Sequence, residues 1–165
     1  MAEELPLAIV DLDGVVADVR HRLHHLRGRR KDWGGFFAAA GADGVHPEGA
    51  AIVTTLAADH EVVFVTGRPA HLADATERWL EAHGFGGHRV VMRPAGDRRP
   101  AAVVKVELLR ALAADREVGI VVDDDPDVLA AMQREGHPTF AADWESRADG
   151  DERAIRRAQE GEGRT

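Results

Sequence analysis

Cysteine is absent from the 165-residue chain, which excludes disulfides, thiolate metal sites and a cysteine nucleophile, and leaves any covalent chemistry to oxygen or nitrogen. Long apolar runs are missing as well. Stretches such as residues 62–65 are only a few residues long, against the roughly 20 that a bilayer-spanning helix needs. The opening Met1-Ala2-Glu3-Glu4 is acidic where a secretory leader carries basic residues before an apolar stretch, so no membrane association and a cytoplasmic location are the expectations. Positive charge is in deficit. The formal net charge of -8 argues against a broad electrostatic grip on nucleic acid, which depends on lysine and arginine neutralising phosphates. No Gly-X-X-X-X-Gly-Lys-Ser/Thr phosphate loop occurs, so the sequence carries no kinase of that type. There is no internal repeat.

What remains is the composition of a globular domain, 44% hydrophobic and 30% charged. The length suits one core, a sheet with helices on both sides. The charge is unevenly spread. Arg20, Arg22, Arg27, Arg29, Arg30 and Lys31 are interleaved with His21, His24 and His25, and Asp32 is the one acid between Asp18 and Asp43. This segment reads as a solvated or substrate-facing basic face. A zinc site there would need four well-spaced ligands, and no second ligand cluster accompanies the histidines.

Short β-branched apolar runs alternate with segments of helical period, the signature of a parallel sheet with crossover helices. Strands are expected at residues 7–11, 61–66, 89–92, 119–123 and 139–141. Pro47, Pro69, Pro100 and Pro126 each stand near an expected helix start, where a missing N–H costs nothing. Leu72, Thr76, Trp79, Leu80 and His83 share one helical face, and Gly84 supplies the stop. Residues 15–45 break the alternation and read as a small cap of one or two short helices inserted after the first strand, containing Leu23, Leu26, Trp33, Phe36 and Phe37. The expected organisation is therefore one domain over 1–145, with core segments 5–14 and 46–142, a cap over about 15–45, and a polar tail over 146–165.

The chemistry concentrates at strand ends. Ala8-Ile9-Val10 runs into Asp11-Leu12-Asp13-Gly14, and Val121-Val122 runs into Asp123-Asp124-Asp125. The ends of buried parallel strands are where open α/β sheets bind ligands. A single Asp-X-Asp is more often a turn or cap. Two such clusters on two apolar strands point to a shared site. Like charges at ~4 Å and an effective dielectric of ~20 repel by ~4 kcal/mol per pair, so the cluster calls for a cation or captured protons. All-oxygen ligation suits Mg²⁺. Val65-Thr66-Gly67-Arg68-Pro69 offers a hydroxyl and backbone N–H groups at another strand end, an anion cradle, although Thr66 alone reads equally well as a helix cap. Lys105, among Val103, Val104 and Val106, either snorkels to water or neutralises phosphate and carboxylates in a buried site.

Asp11-Leu12-Asp13-Gly14, Thr66, Lys105 and Asp123-Asp124, in that order and spacing, resemble the four motifs of haloacid dehalogenase (HAD) phosphatases. The resemblance implies an α/β, HAD-like Rossmannoid three-layer sandwich with a central parallel sheet and a small helical cap after the first strand. It implies a hydrolase acting on phosphomonoesters through an aspartyl-phosphate on Asp11, with Asp13 as acid and base and Thr66 and Lys105 holding phosphate. Mg²⁺ would sit on Asp11, the backbone carbonyl of Asp13, and Asp123, assisted by Asp124. Within that superfamily, Thr66-Gly67-Arg68-Pro69, Thr76-Glu77-Arg78-Trp79-Leu80 and the stretch from Met92 through Asp97 to Lys105 are similar to the 3′-phosphatase domain of polynucleotide kinase-phosphatases. Arg22, Asp43 and His46-Pro47 fall where that domain has an arginine, an aspartate and an Asn-Pro. By this likeness Arg22, Gly67 and Arg68 become candidate substrate contacts and Asp97 a supporting residue. The alternative for the charged ones is a surface ion pair of little consequence. Ala101, Ala102 and Asp125 depart from the family pattern, at the rim.

The implied activity is removal of 3′-phosphates from DNA or RNA ends, as in nucleic acid repair, beside a separate kinase or ligase. Net acidity keeps open a phosphatase of free nucleotides or another small phosphometabolite. A non-catalytic binding module on the same fold is the third reading, disfavoured by the complete set of acid, base and phosphate-holding residues.

Overall fold

The structure, a computed structural model, describes residues 4–145. Residues 146–165, expected as a polar tail, lie outside the described residues.

Five parallel strands form the central sheet: β1 (Leu7–Val10), β4 (Glu61–Pro69), β5 (Arg89–Arg93), β6 (Val118–Asp123) and β7 (Thr139–Ala141), in the spatial order β5-β4-β1-β6-β7. Strand period explains the layering. Ala8, Val10, Val62, Phe64 and Val122 point to one face and pack with Val53, Trp79, Leu80 and Phe85. Leu7, Ile9, Val63, Val65 and Val121 point to the other and pack with Leu109, Leu112, Val128 and Met132. The first face carries the helices α2 (Pro47–Leu56) and α3 (Ala73–Ala82), the second α4 (Ala101–Ala113) and α5 (Pro126–Arg134). Each fully buried aliphatic or aromatic side chain contributes roughly 1.5–3 kcal/mol, so sheet faces this apolar specify the three-layer packing strongly. The expected fold is the observed one.

Every strand candidate is present, with ends shifted by a few residues. Pro47 and Pro126 occupy the first turns of α2 and α5, and Pro100 caps α4. Pro69 closes β4 just before a 3-10 turn, Ala70–Leu72, and Gly84 ends α3 with φ 83°.

The chain first builds outward from β1 through β4 to β5, then crosses back to place β6 on the opposite side of β1. Val10 pairs with both Phe64 and Val122, so the residues following all three strands emerge at one edge, beside β1 where the winding reverses.

The insertion after β1 carries a 3-10 helix, Arg20–Leu26, and a short α1 (Trp33–Ala38). It also contains an antiparallel ribbon that the sequence pattern did not announce: β2 (Ala17–Asp18) pairs with β3 (Gly44–Val45) and closes the insertion at its base. Val19, Leu23, Leu26, Trp33, Phe36 and Phe37 form its own small core. Asp32 caps α1 by accepting from the Gly35 N–H.

Candidate active site

Immediately after β1 the backbone curls on itself. The Leu12 carbonyl accepts from the N–H groups of Val15, Val16 and Ala17 at 3.1, 2.9 and 2.9 Å, and Gly14 N–H donates to the Ala17 carbonyl at 3.0 Å. Gly14 takes φ 80°, a left-handed turn that glycine adopts without cost. The Asp11 N–H remains on the sheet, donating to the Val122 carbonyl at 3.0 Å, so Asp11 sits beside the end of β6.

There its carboxylate meets those of Asp123 and Asp124, with one oxygen of each lying within 4.8 Å of the others. Lys105 reaches in from the second turn of α4. Its Nζ lies 3.1 Å from Asp11 Oδ1 and donates to Asp123 Oδ2 at 2.7 Å. The lysine is 1% exposed, so it does not snorkel. Burial disfavours its charge, but Asp11 and Asp123 outweigh that and hold its pKa above the ordinary lysine value. One ammonium does not balance three acids. Burial raises Asp11 to about 8, with Lys105 opposing and Asp123 and Asp13 adding to the rise. Asp124 is raised well above its ordinary value, first by burial and then by Asp123 and Asp11. Asp124 Oδ1 is buried without a hydrogen-bond partner, and Asp11 Oδ1 has only the ion-pair contact with Lys105. Three crowded carboxylates neutralised by one ammonium are the condition a hard divalent cation relieves, and the all-oxygen donor set fits Mg²⁺.

The Asp13 side chain turns elsewhere. Its Oδ1 accepts from Arg22 Nη2 at 2.9 Å and from Arg68 Nε and Nη2 at 2.9 and 2.6 Å, while Oδ2 is buried without a partner. Burial alone would raise its pKa, but the two guanidinium groups outweigh it and hold it down to about 2. Both arginines also grip Asp43: Arg22 donates to Oδ1 and Oδ2 at 2.7 Å each, and Arg68 to Oδ2 at 3.0 Å. Arg22 and Asp43 come from the insertion and Arg68 from β4, so this charge-balanced quartet joins cap to core.

The alternative weighed for Arg22 and Arg68, a surface ion pair, does not hold. They are 0% and 1% exposed, so neither forms a surface ion pair. Their donors are directed at Asp13, Asp43, the Phe36 carbonyl and Thr76 Oγ1, and Arg22 lies 4.1 Å from the Phe36 ring centroid. An arginine whose planar fork is fully engaged by two carboxylates orients them. Asp43 matched only as a position in the family pattern, and its partners became visible with the fold.

Thr66 is buried near the C-terminal end of β4, where its Oγ1 accepts from the Arg68 N–H at 3.1 Å, so it is part of the strand end and does not cap a helix. Gly67 is buried beside it, its carbonyl accepting from Arg93 Nε at 3.0 Å. Asp97 is not at the carboxylate centre. It accepts from the Arg99 N–H at 3.0 Å in the loop after β5. With Trp33, Phe37, Pro69, His71, Leu72, Arg93 and Arg98, Asp97 lines a groove of about 360 Å³ between α1 and the core. Among the described residues, His21, His24 and His25 share no ligand cluster. His21 hydrogen-bonds Asp43 and His25 hydrogen-bonds Asp32.

No helix among the described residues is long and apolar enough to cross a membrane. No curated protein sequence matches the chain. Among solved structures, a chain of the Pnkp1/Rnl/Hen1 RNA repair complex is 25% identical with a TM-score of 0.66, covering 85% of this chain and 44% of its own length. The present chain thus spans less than half of that relative. The haloacid dehalogenase-like hydrolase SP0104 from Streptococcus pneumoniae is 13% identical with a TM-score of 0.56, covering 83% of this chain and 84% of its own. The HAD-hydrolase YfnB from Bacillus subtilis, whose structure is bound to magnesium, is 8% identical with a TM-score of 0.58, covering 83% and 88%. These last two share the fold. The profile described as the polynucleotide kinase PNKP phosphatase domain matches residues 6–144, and the chain belongs to that family of HAD phosphatases.

Proposed function

We propose that this protein is a Mg²⁺-dependent phosphomonoesterase that works through an aspartyl-phosphate on Asp11 and acts on the 3′-phosphate of DNA or RNA ends. The observation that carries the chemistry is the convergence of Asp11, Asp123 and Asp124 with buried Lys105 at the edge of the sheet where its winding reverses. An Asp11 oxygen attacks phosphorus while the bond to the leaving oxygen breaks, and Asp13 gives that oxygen its proton. Asp13, now a carboxylate, takes a proton from water, whose oxygen attacks the aspartyl-phosphate, releasing inorganic phosphate and restoring Asp11. The arginines fix Asp13 Oδ1 and leave Oδ2 for this exchange. An incoming phosphate raises the depressed pKa of Asp13 toward the range in which it can donate. Thr66, Gly67 and Lys105 receive the phosphoryl oxygens. The ion, held by Asp11, Asp123 and Asp124, would offset negative charge there when bound.

The nucleic acid assignment draws on the family membership and on the groove that Pro69 lines, where Trp33, Phe37 and Leu72 offer apolar surface and Arg93 and Arg98 offer positive charge. Aromatic surface beside cations suits a strand leading to its terminal phosphate. The similarity to a chain of an RNA repair complex supports work beside a separate kinase or ligase. A phosphatase of free nucleotides or other small phosphometabolites is the second reading, favoured by the net charge of -8.

The test compares phosphate release from a 3′-phosphorylated oligonucleotide, from mononucleotides and from an aryl phosphate, each with Mg²⁺. The expected order in kcat/KM places the oligonucleotide first. Mononucleotides ahead by orders of magnitude would transfer the assignment to the second reading. Asp11→Asn should abolish turnover of all three, and an equally active variant would remove the covalent mechanism.

A further inference from the structure

Glu145 follows the last strand, far in sequence from every motif residue, and ends up against the carboxylate centre. Its side chain is 6% exposed. Oε1 accepts from the Val19 N–H at 3.0 Å and is 3.0 Å from His46 Nε2, and these two residues lie just outside the β2–β3 ribbon that closes the insertion. Oε2 is buried with no hydrogen-bond partner. The direction of Oε2 is fixed by Gly14: a methyl group there would collide with Asp124 Oδ2 and stand 3.0 Å from Glu145 Oε2, so both oxygens converge on the same side of the catalytic loop. Asp124 in turn has a buried, unpartnered Oδ1.

We propose that Glu145 is an outer carboxylate of the cation centre, its Oε2 accepting a hydrogen bond from a water carried by the ion that Asp11, Asp123 and Asp124 hold. The assignment rests on the cation-dependent reading above. Asp18, His46 and Glu145 also approach one another within 4.8 Å. In that group His46 is hydrogen-bonded to Glu145 and Asp18 to Arg20. With Oε1 bonded at the cap hinge, Oε2 has no protein donor, and a donor arriving with the ion would satisfy it. Mg²⁺ dehydrates reluctantly and usually keeps several of its waters when bound, and each is a strong donor. Through Oε1 the same side chain ties both ends of the insertion to that centre.

The experiment measures Mn²⁺ binding to the full chain by electron paramagnetic resonance of the free ion, with Mg²⁺ as competitor and a thermal melt of each variant. Glu145→Gln keeps an oxygen acceptor for Val19 and removes the charge facing Asp124. It is expected to bind Mn²⁺ about 10- to 100-fold more weakly, the scale typical of outer partners of a metal site. His46→Asn removes the hinge bond and leaves Oε2 in place, and is expected to bind as the wild type does. Equal losses in the two variants would mean that the effect travels through hinge packing, which overturns the assignment. Wild-type affinity in Glu145→Gln, alongside lost binding in Asp123→Asn, would overturn it and leave the cation reading intact. A wild-type protein that binds no Mn²⁺ would overturn both.

Discussion

Arg68 holds Asp13 through two donors to one oxygen, Nε at 2.9 Å and Nη2 at 2.6 Å from Oδ1. Both groups are buried, and Arg68 also serves Asp43, so removing the guanidinium leaves two buried carboxylates sharing Arg22. Breaking a buried pair in this way costs about 3–5 kcal/mol, so Arg68→Ala should show a large loss in denaturant midpoint. Arg68→Lys, with a point charge in place of a fork, should fold and retain part of the activity. A single ammonium holds Asp13 less firmly than the two-donor fork and so lets its pKa rise, and the acid limb of the kcat profile of Arg68→Lys should move to higher pH. An unmoved limb would show that Asp13 does not report on Arg68.

Acid stability follows from the same contact. Asp13 has a folded pKa of about 2 against an ordinary 3.8, so it contributes stability that is present above about pH 4 and is lost as pH falls toward 2. The shift corresponds to about 2 kcal/mol. Urea unfolding of the wild type should therefore lose about that much more stability between pH 4 and pH 2 than unfolding of Asp13→Asn. Parallel pH curves for the two proteins would contradict the arginine clamp.

The opposite sign holds at Asp11. With its folded pKa raised to about 8, the cation-free protein is favoured at low pH and loses stability as pH rises from about 4 through 8. A divalent ion must displace that proton below pH 8, and Asp124, also raised, adds to the release, so its apparent Kd should fall at least about tenfold per pH unit up to that point. Titration calorimetry with Mg²⁺ across pH 6 to 9, in buffers of different ionisation enthalpy, checks both the slope and the proton released. Flat affinity over this range would mean that Asp11 is already ionised without the ion.

Substrate discrimination is expected to reside in the groove between α1 and the core, away from the reacting atoms. Arg98 is exposed there, beside Trp33, Phe37 and His71. Arg98→Glu should lower kcat/KM for a 3′-phosphorylated oligonucleotide about tenfold, the scale of one charged hydrogen bond. Turnover of an aryl phosphate, too short to reach the groove, should be unchanged. An equal loss on both substrates would place the effect at the chemical centre instead.

The parts of this molecule that follow from local pattern were legible in its sequence. Val10 before Asp11 and Val122 before Asp123 announce buried strands ending in acids, and parallel pairing then brings those ends to one edge. Leu23, Leu26, Trp33, Phe36 and Phe37 announce a cap with its own core. What could not be read is which buried charge faces which. Arg22, in a run of exposed basic residues, shows no periodic signal that it turns inward onto Asp43. Nor does Glu145, placed after the last strand, carry any mark of its approach to Gly14. Such pairings depend on how the insertion folds back on itself, which includes the pairing of the two-residue strands β2 and β3, and on where the chain after β7 lies against it.

Gly14 is where the loop, the acid cluster and Glu145 come together. Its φ of 80° costs an L-residue about 1–2 kcal/mol for backbone reasons alone. A methyl group there also meets Asp124 Oδ2 and Glu145 Oε2, and neither side chain has an easy retreat: Asp124 adjoins Asp123 at the end of β6, and Glu145 is anchored by Val19 and His46. Gly14→Ala should therefore melt at least a few degrees lower, since about 1 kcal/mol corresponds to roughly 2–4 °C at this size. It should also lose Mn²⁺ affinity, because Asp124 is pushed away from Asp11. Gly49→Ala serves as the comparison. Its methyl group would strike the Val15 carbonyl, where α2 presses on the loop but not on the acid cluster. That variant should lose stability while binding Mn²⁺ normally at temperatures where it is folded. Equal losses of Mn²⁺ affinity in the two glycine variants would show that the loop as a whole, and not the crowding of Asp124 and Glu145 at Gly14, governs the ion.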